Sequence, residues 1–281
     1  MGFCKGGRVE SDLTIRLQDV SFRYGSGIDA LRRVSCTIEP GERVAIVGQN
    51  GAGKTTLAKH LNGLLRPLEG QVLVGDWDTQ KHTVGQMAHR VGYLFQNPDD
   101  QLFARSVRAE VSFGPKNLGF REAETARLVE EALELCGLED VSEANPYDLH
   151  PGKRKMVALA SVLAMDVPIL VLDEPTTGQD ARNVGRMGQI VQEANRRHKT
   201  VVAITHDIDF AAEQFERMLV MRQGELVLDG PVQEVLSRPD VLETTYVQVS
   251  QLARLGQALG LEPPARTEEE FLEIYRAHLK N

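Results

Sequence analysis

The sequence predicts an α/β protein: a buried parallel sheet, an antiparallel β portion ahead of it, a helical insertion within it and a helical extension after it. Three observations carry that expectation. Residues 43–47 form an apolar, strand-like run that passes through a glycine-rich turn into a helix-like stretch ending near Leu64. Ile169-Leu170-Val171-Leu172 and residues 200–204 read as two further runs buried on both faces, as parallel strands are. Between the first run and these two, residues 106–113 and 122–135 carry helical periodicity, with Ala126, Leu128, Val129, Leu133 and Leu135 striped among glutamates.

Taken in order, residues 13–22 alternate through Leu13, Ile15, Leu17 and Val20, which suits a half-buried strand. Residues 31–38 read as a second strand, closed by the turn Pro40-Gly41. Tyr24 sits between the first strand and a loop, either as a stacking surface for an aromatic ring or as a plug for the sheet edge. Residues 70–74 and 90–95 are strand-like, and 96–101 form a polar, proline-broken loop. Gly137 is a plausible stop for the helix over 122–135. A helix runs to Met165 and another ends near Arg197, and residues 218–221 and 225–228 form a hairpin around Gln223-Gly224. Beyond Pro231 the pattern is helical. Leu252, Leu255 and Leu259 share one helix face, and Pro263-Pro264 breaks it. Thr267-Glu268-Glu269-Glu270 reads as a capping box for a last helix with Phe271, Ile274, Tyr275, His278 and Leu279 on one side. These last two helices either pad the core or form a partner surface.

Three stretches carry chemistry. Gly48-Gln49-Asn50-Gly51-Ala52-Gly53-Lys54-Thr55 fits G-x-x-x-x-G-K-[ST] without a mismatch, in the strand–turn–helix context that the motif requires. Its glycines let successive N–H groups point at one anion, and the helix adds the positive end of its dipole. Lys54 supplies a point charge for the β- and γ-phosphates, and the Thr55 hydroxyl suits Mg2+. Asp173-Glu174 ends a buried strand, the edge at which α/β sheets bind ligands. There Asp173 is expected to hold Mg2+ and Glu174 to orient or deprotonate an attacking water. His206 follows the neighbouring strand at the same edge and is a candidate for the same chemistry. The bland alternatives are a ligand-free glycine turn, a solvated strand end and a structural histidine.

Composition excludes other classes. With 32 basic and 40 acidic residues the net charge is −8, which argues against a nucleic-acid partner. Three scattered cysteines suggest a reducing compartment and no metal cluster. No secretory signal pattern opens the chain, and no apolar run reaches the roughly 18 residues of a membrane helix.

The order of motifs resembles the ATP-binding subunits of ABC transporters over nearly the whole chain. That family carries a Walker A loop, a Q-loop, a signature, a Walker B strand, a D-loop and a switch histidine. Here they match residues 48–55, Gln96, residues 149–153, residues 169–174, residues 177–180 and His206. The resemblance implies a P-loop NTPase (RecA-like) core that binds ATP and Mg2+ through residues 48–55 and Thr56. It implies that Tyr24 stacks on adenine, that Gln96 touches Mg2+ and that His206 contacts the γ-phosphate. Phe95-Gln96-Asn97-Pro98-Asp99-Asp100-Gln101-Leu102-Phe103, with Phe113-Gly114-Pro115 and Asn117-Leu118-Gly119 after it, is most similar to energy-coupling-factor ATPases, which drive uptake of vitamins or of cobalt and nickel ions. That resemblance implies integral membrane subunits, a second ATPase (or a second copy of the chain) and peripheral attachment to the cytoplasmic face of the cell membrane. It further implies an ATPase domain at 13–237 with a helical subdomain at about 97–165 and a helical dimerisation segment at 238–281, while the polar, glycine-containing residues 1–12 read as a flexible leader.

The signature departs from the family's L-S-G-G-Q: here it is Leu149-His150-Pro151-Gly152-Lys153, and Gln179 stands where the D-loop usually has leucine. His150 removes a hydroxyl, and Pro151 has no N–H to donate. Such losses predict an asymmetric heterodimer, in which this chain's Walker A loop and Glu174 act against an intact signature on a different partner. The cluster His150, Lys153, Arg154 and Lys155 is an alternative anion site. Two other functions fit a P-loop cassette. A soluble ATPase acting on nucleic acid or the ribosome usually carries a long coiled coil or two cassettes, and this chain shows neither. A poorly active regulatory subunit is disfavoured by the intact Lys54, Asp173, Glu174 and His206.

Overall fold

The computed structural model of the chain describes residues 13–245 and 250–279, so the expected leader at 1–12 lies outside the described residues. Among the described residues, ten strands form two sheets. β1 (Ile15–Arg23), β2 (Asp29–Ile38), β4 (Glu69–Val74) and β5 (Trp77–Asp78) make an antiparallel sheet in the order β2-β1-β4-β5. β3 (Arg43–Gly48), β6 (Val91–Leu94), β7 (Ile169–Asp173), β8 (Thr200–Ile204), β9 (Arg217–Arg222) and β10 (Glu225–Pro231) make a second sheet. Its order is β10-β9-β3-β8-β7-β6, with β10 antiparallel and the other five strands parallel.

The helices follow the sequence signals. α1 (Lys54–Leu61) starts at Gly53, and α2 (Val84–Met87) is a single turn. α3 (Val107–Asn117) is capped by the Ser106 side chain, which accepts from Ala109 N. α4 (Glu122–Cys136) ends at Gly137 in the left-handed conformation, a helix stop that glycine adopts without a Cβ penalty. α5 (Pro151–Leu163) and α6 (Ala181–Arg196) follow, with Asp180 capping α6. α7 (Ile208–Gln214), capped by Asp207, was hidden by its shortness. α8 (Val232–Leu236), α9 (Pro239–Thr244), α10 (Gln251–Ala258) and α11 (Glu268–His278) complete the chain.

Because alternate strand residues point to opposite faces, each parallel strand feeds two cores. Ile169 and Val171 of β7 pack with Val44, Ile46 and Val202 against α1 and the antiparallel sheet. Leu170 and Leu172 pack with Ala45, Val201 and Ala203 against the helices α3 to α6. Every parallel strand therefore reads as a continuous apolar run, and every strand end emerges at one edge.

Two local expectations are corrected, and one open choice is narrowed. Residues 98–100 of the expected loop form a 3-10 turn, capped by Asn97 Oδ1, which accepts from Asp99 N at 3.2 Å. In α10 the buried positions are Ala253 and Gly256, Leu252 is half-buried, and Leu255 and Leu259 remain 48% and 45% exposed, so most of the leucine face does not pad the core. The capping box at α11 is half formed. Thr267 Oγ1 accepts from Glu270 N, but the Glu270 carboxylate reaches Arg266 N instead of Thr267 N.

Leu133, fully buried in α4, is the stripe's central anchor. Leu133→Ala is expected to cost about 2–5 kcal/mol of stability, read as a shifted denaturant midpoint with an unchanged slope.

Candidate nucleotide site

Four segments converge where β3, β6, β7 and β8 end. The loop after β3 depends on glycine geometry. Gly48 has φ 149°, and a Cβ there would lie 2.3 Å from the Met221 carbonyl oxygen. Gly53 has φ 101°, and its Cβ would meet the Ala30 oxygen at 2.4 Å. The β9–β10 turn braces the loop from behind, since Gly224 N donates to the Ala52 oxygen at 2.9 Å. Asn50 and Gly51 form the exposed tip, Gln49 is half-buried and Ala52 is buried. Lys54, almost wholly buried, curls back onto the Gly48 and Gln49 oxygens at 2.8 and 3.1 Å. Burial pulls its pKa below the usual lysine value, while Glu174 and Asp173 pull it upward.

Asp173 is the centre of the site. Its Oδ1 accepts from Thr55 Oγ1 at 3.0 Å, and its Oδ2 accepts from Tyr93 OH at 2.9 Å. Burial raises its pKa, the two hydroxyl donors oppose that rise, and the nearby Glu174 adds to it. Glu174 is buried in the left-handed region at φ 50°, a conformation costing a non-glycine residue about 1–3 kcal/mol. Its N–H donates to the Ile204 oxygen at 2.8 Å, which pins the β7 and β8 ends together. Glu174 Oε2 accepts from the exposed His206 Nδ1 at 2.7 Å and from Thr177 Oγ1 at 3.3 Å.

The remaining expected residues are placed differently. Tyr24, 39% exposed, shares a hydrogen bond with Thr56 Oγ1 at 3.1 Å and stands edge-on to Phe22. It thus reaches the back of α1, with part of its ring accessible. The Gln96 side chain is exposed at the end of β6, and its carbonyl oxygen is held from below by Lys155.

The sequence reading missed Tyr93 and placed Lys155 in a surface anion cluster rather than in the site. A tyrosine inside a wholly buried strand needs a partner for its hydroxyl, and that was the signal for Tyr93. Lys155 shares a buried face with Ala158, Leu159 and Val162, so helical phase, not local charge, showed where it points. Burial lowers its pKa to about 8, against the upward pull of Asp173 and Glu174.

The basic cluster on α5 disperses. Lys153 pairs with Asp140 at 3.2 Å, Arg154 pairs with Asp99 at 2.8 Å, and Lys155 turns inward. His150 is the helix cap: its Nδ1 accepts from Lys153 N at 3.3 Å, and Pro151 occupies the first turn, where no N–H is needed. Gln179 Nε2 donates to the Gly152 oxygen at 3.3 Å, so the two unusual segments touch within one chain.

The ABC transporter family profile matches residues 31–177, more than half of the chain. The chain belongs to the ABC transporter ATP-binding family. It is 41% identical over 273 residues to a putative ABC transporter ATP-binding protein of Methanosarcina mazei, covering 96% of this chain but only 46% of that relative's length. The energy-coupling factor transporter ATP-binding protein EcfA of Methanoculleus marisnigri is 42% identical over 246 residues, covering 87% of this chain and 89% of EcfA. The solved structure of CbiO1 from Clostridium perfringens, part of the ABC transporter complex CbiONQ, superposes with a TM-score of 0.73 at 32% identity. It covers 89% of this chain and all of CbiO1.

The donors around Asp173 fit Mg2+. They are hard oxygens, one carboxylate and one hydroxyl, and no cluster of three metal-binding side chains occurs among the described residues. Mg2+ characteristically takes one or two carboxylates and completes its shell with phosphate oxygens and water.

Tyr93→Phe leaves one oxygen of the buried Asp173 carboxylate without its donor. The expected loss is about 1–3 kcal/mol by chemical denaturation.

Proposed function

We propose that this chain is the ATP-hydrolysing subunit of an energy-coupling-factor-type importer, acting as one half of an asymmetric ATPase pair. The observation that carries the reading is the convergence of Lys54, Thr55, Asp173, Glu174 and His206 at one sheet edge. Residues 48–56 cradle the triphosphate, with Lys54 leaving the Gly48 and Gln49 oxygens for the β- and γ-phosphates. Tyr24 offers its exposed ring to adenine. Thr55, Asp173 and Gln96 would hold Mg2+, which would neutralise charge on the phosphate oxygens. Glu174 accepts a proton from the water that attacks the γ-phosphorus as the bond to ADP breaks. His206 holds the Glu174 carboxylate and faces the γ-phosphate beside it.

Similarity to EcfA and CbiO1 supports the importer class. A surface near Gln96 supports the membrane partner. Phe103 and Phe113 pack edge-on at 4.7 Å, yet both stay about half exposed, beside Leu64 and Val84. A patch of this kind suits an apolar segment of an integral membrane subunit. Among the described residues no helix is long and apolar enough to cross a membrane. The exposed leucines of α10 suit the dimerising role of residues 238–281. The micronutrient, vitamin or transition-metal ion, is chosen by the membrane subunits.

Asymmetry rests on the signature. His150 and Pro151 build a sound helix start, so the substitution spares the fold while withdrawing a hydroxyl and an N–H from the phosphate-facing set. Single-donor losses in comparable sites cost about 2.7–4 kcal/mol of transition-state stabilisation. The partner's nucleotide, facing this segment, therefore hydrolyses slowly, and this chain's own site fires against an intact signature.

Two substitutions test the reading in the purified complex. Glu174→Gln is expected to retain ATP and abolish turnover. Replacing His150-Pro151 with Ser-Gly is expected to raise the ATPase rate by activating the second site. A chain that hydrolyses rapidly as a homodimer, with no response to the swap, contradicts the asymmetric pair.

A further inference from the structure

Lys155 is one of the largest fully buried side chains among the described residues, 2% exposed, and it is charged. Its Nζ donates to the main-chain oxygens of Phe95 at 2.9 Å, Gln96 at 2.5 Å and Asp173 at 3.2 Å. An ammonium has three N–H donors and no acceptor, so three carbonyls satisfy it completely. A buried charge without such partners would be strongly unfavourable. Apolar packing alone could be served by leucine or methionine at this point of α5, so the donors are the distinguishing feature.

The carbonyls come from two segments far apart in the chain. Phe95 and Gln96 follow β6, and Asp173 ends β7. The two strands pair in register up to Leu94 and Leu172, and the ladder stops there. Beyond its last pair, the main chains at Gln96 and Asp173 are cross-linked by Lys155. Gln101 reinforces the arrangement, accepting from Phe95 N at 3.1 Å and donating to the Ala158 oxygen of α5 at 2.8 Å.

We propose that Lys155 is a positioning residue that fixes Gln96 relative to Asp173 and so presets the geometry with which this chain receives Mg2+ alongside the nucleotide. The inference rests on the nucleotide-site reading above. Asp173 is thereby held at both ends: its carboxylate by Thr55 and Tyr93, its main chain by Lys155. The same side chain joins the metal side of the site to α5, whose first turn carries His150 and Gly152. The positive charge of Lys155 also works against a nearby cation, so positioning and electrostatics make opposite predictions for its removal.

The test titrates a fluorescent ATP analogue into the purified full chain, first in a chelator and then across Mg2+ concentrations. Lys155→Met removes every donor at similar volume, and Lys155→Gln keeps two N–H donors without the charge. Lys155→Met is expected to raise the Mg2+ concentration for half-maximal enhancement of binding by about 10- to 100-fold, the usual cost of losing an outer-shell partner of a metal site. Lys155→Gln is expected to fall between it and the natural chain, with chelator-phase affinity unchanged in both. An unchanged midpoint, in Lys155→Met or, should that variant not fold, in Lys155→Gln, overturns the proposal and leaves Lys155 a purely structural cation. A lowered midpoint overturns it too, in favour of simple repulsion. If the natural chain shows no Mg2+-dependent gain, the nucleotide-site reading itself fails, and this inference falls with it.

Discussion

A carboxylate buried at the end of a parallel strand governs the geometry of this molecule. Asp173 is 1% exposed, and burial alone would drive it toward its neutral form. Two hydroxyl donors on its side chain oppose that, and each belongs to a different segment: Thr55 to the glycine-rich loop's helix and Tyr93 to the neighbouring strand. Satisfying one carboxylate therefore fixes three segments against each other. Glu174 extends the constraint, since its left-handed backbone is held by a bond to Ile204 and its side chain by His206 and Thr177. Strain of this kind persists only where surrounding structure over-determines it.

The rest of the chain supports that edge. The antiparallel sheet supplies Ala30 close against Gly53, and the β9–β10 turn supports Ala52, so the loop can occupy a conformation closed to ordinary side chains. The helices α3 to α5 share one apolar core with the sheet, and they carry Phe113 and residues 151–153. Gln101, Lys155 and Arg154 link those helices to the segment after β6. A change at the nucleotide edge is thus mechanically adjacent to the surfaces expected to meet other subunits.

Much of this was legible in the sequence, for identifiable reasons. Residues 48–55 needed little context, because a lysine within a glycine turn serves few other purposes. The strands at 169–173 and 200–204 were visible because burial on both faces removes polar alternation. The stripe in α4 and its glycine stop announced the helix. What stayed hidden depended on pairing across the chain. The charge run 153–155 looked uniform, yet its members point to Asp140, to Asp99 and into the core. His150 looked like a loss, yet locally it is a working cap. The leucines of α10 satisfied a helical period, but the small residues Ala253 and Gly256 took the packed side. Periodicity identifies a face; it does not say whether that face meets the core or a partner.

Subunit stoichiometry decides whether this chain acts as half of an unlike ATPase pair. A tagged Glu174→Gln chain, purified from native membranes in mild detergent with ATP, would be weighed intact by native mass spectrometry. One copy of this 31.1 kDa chain per complex is expected, together with a second ATPase bearing a complete signature and integral membrane subunits. Two copies of this chain and no second ATPase, or recovery of the chain without membrane proteins, would contradict it.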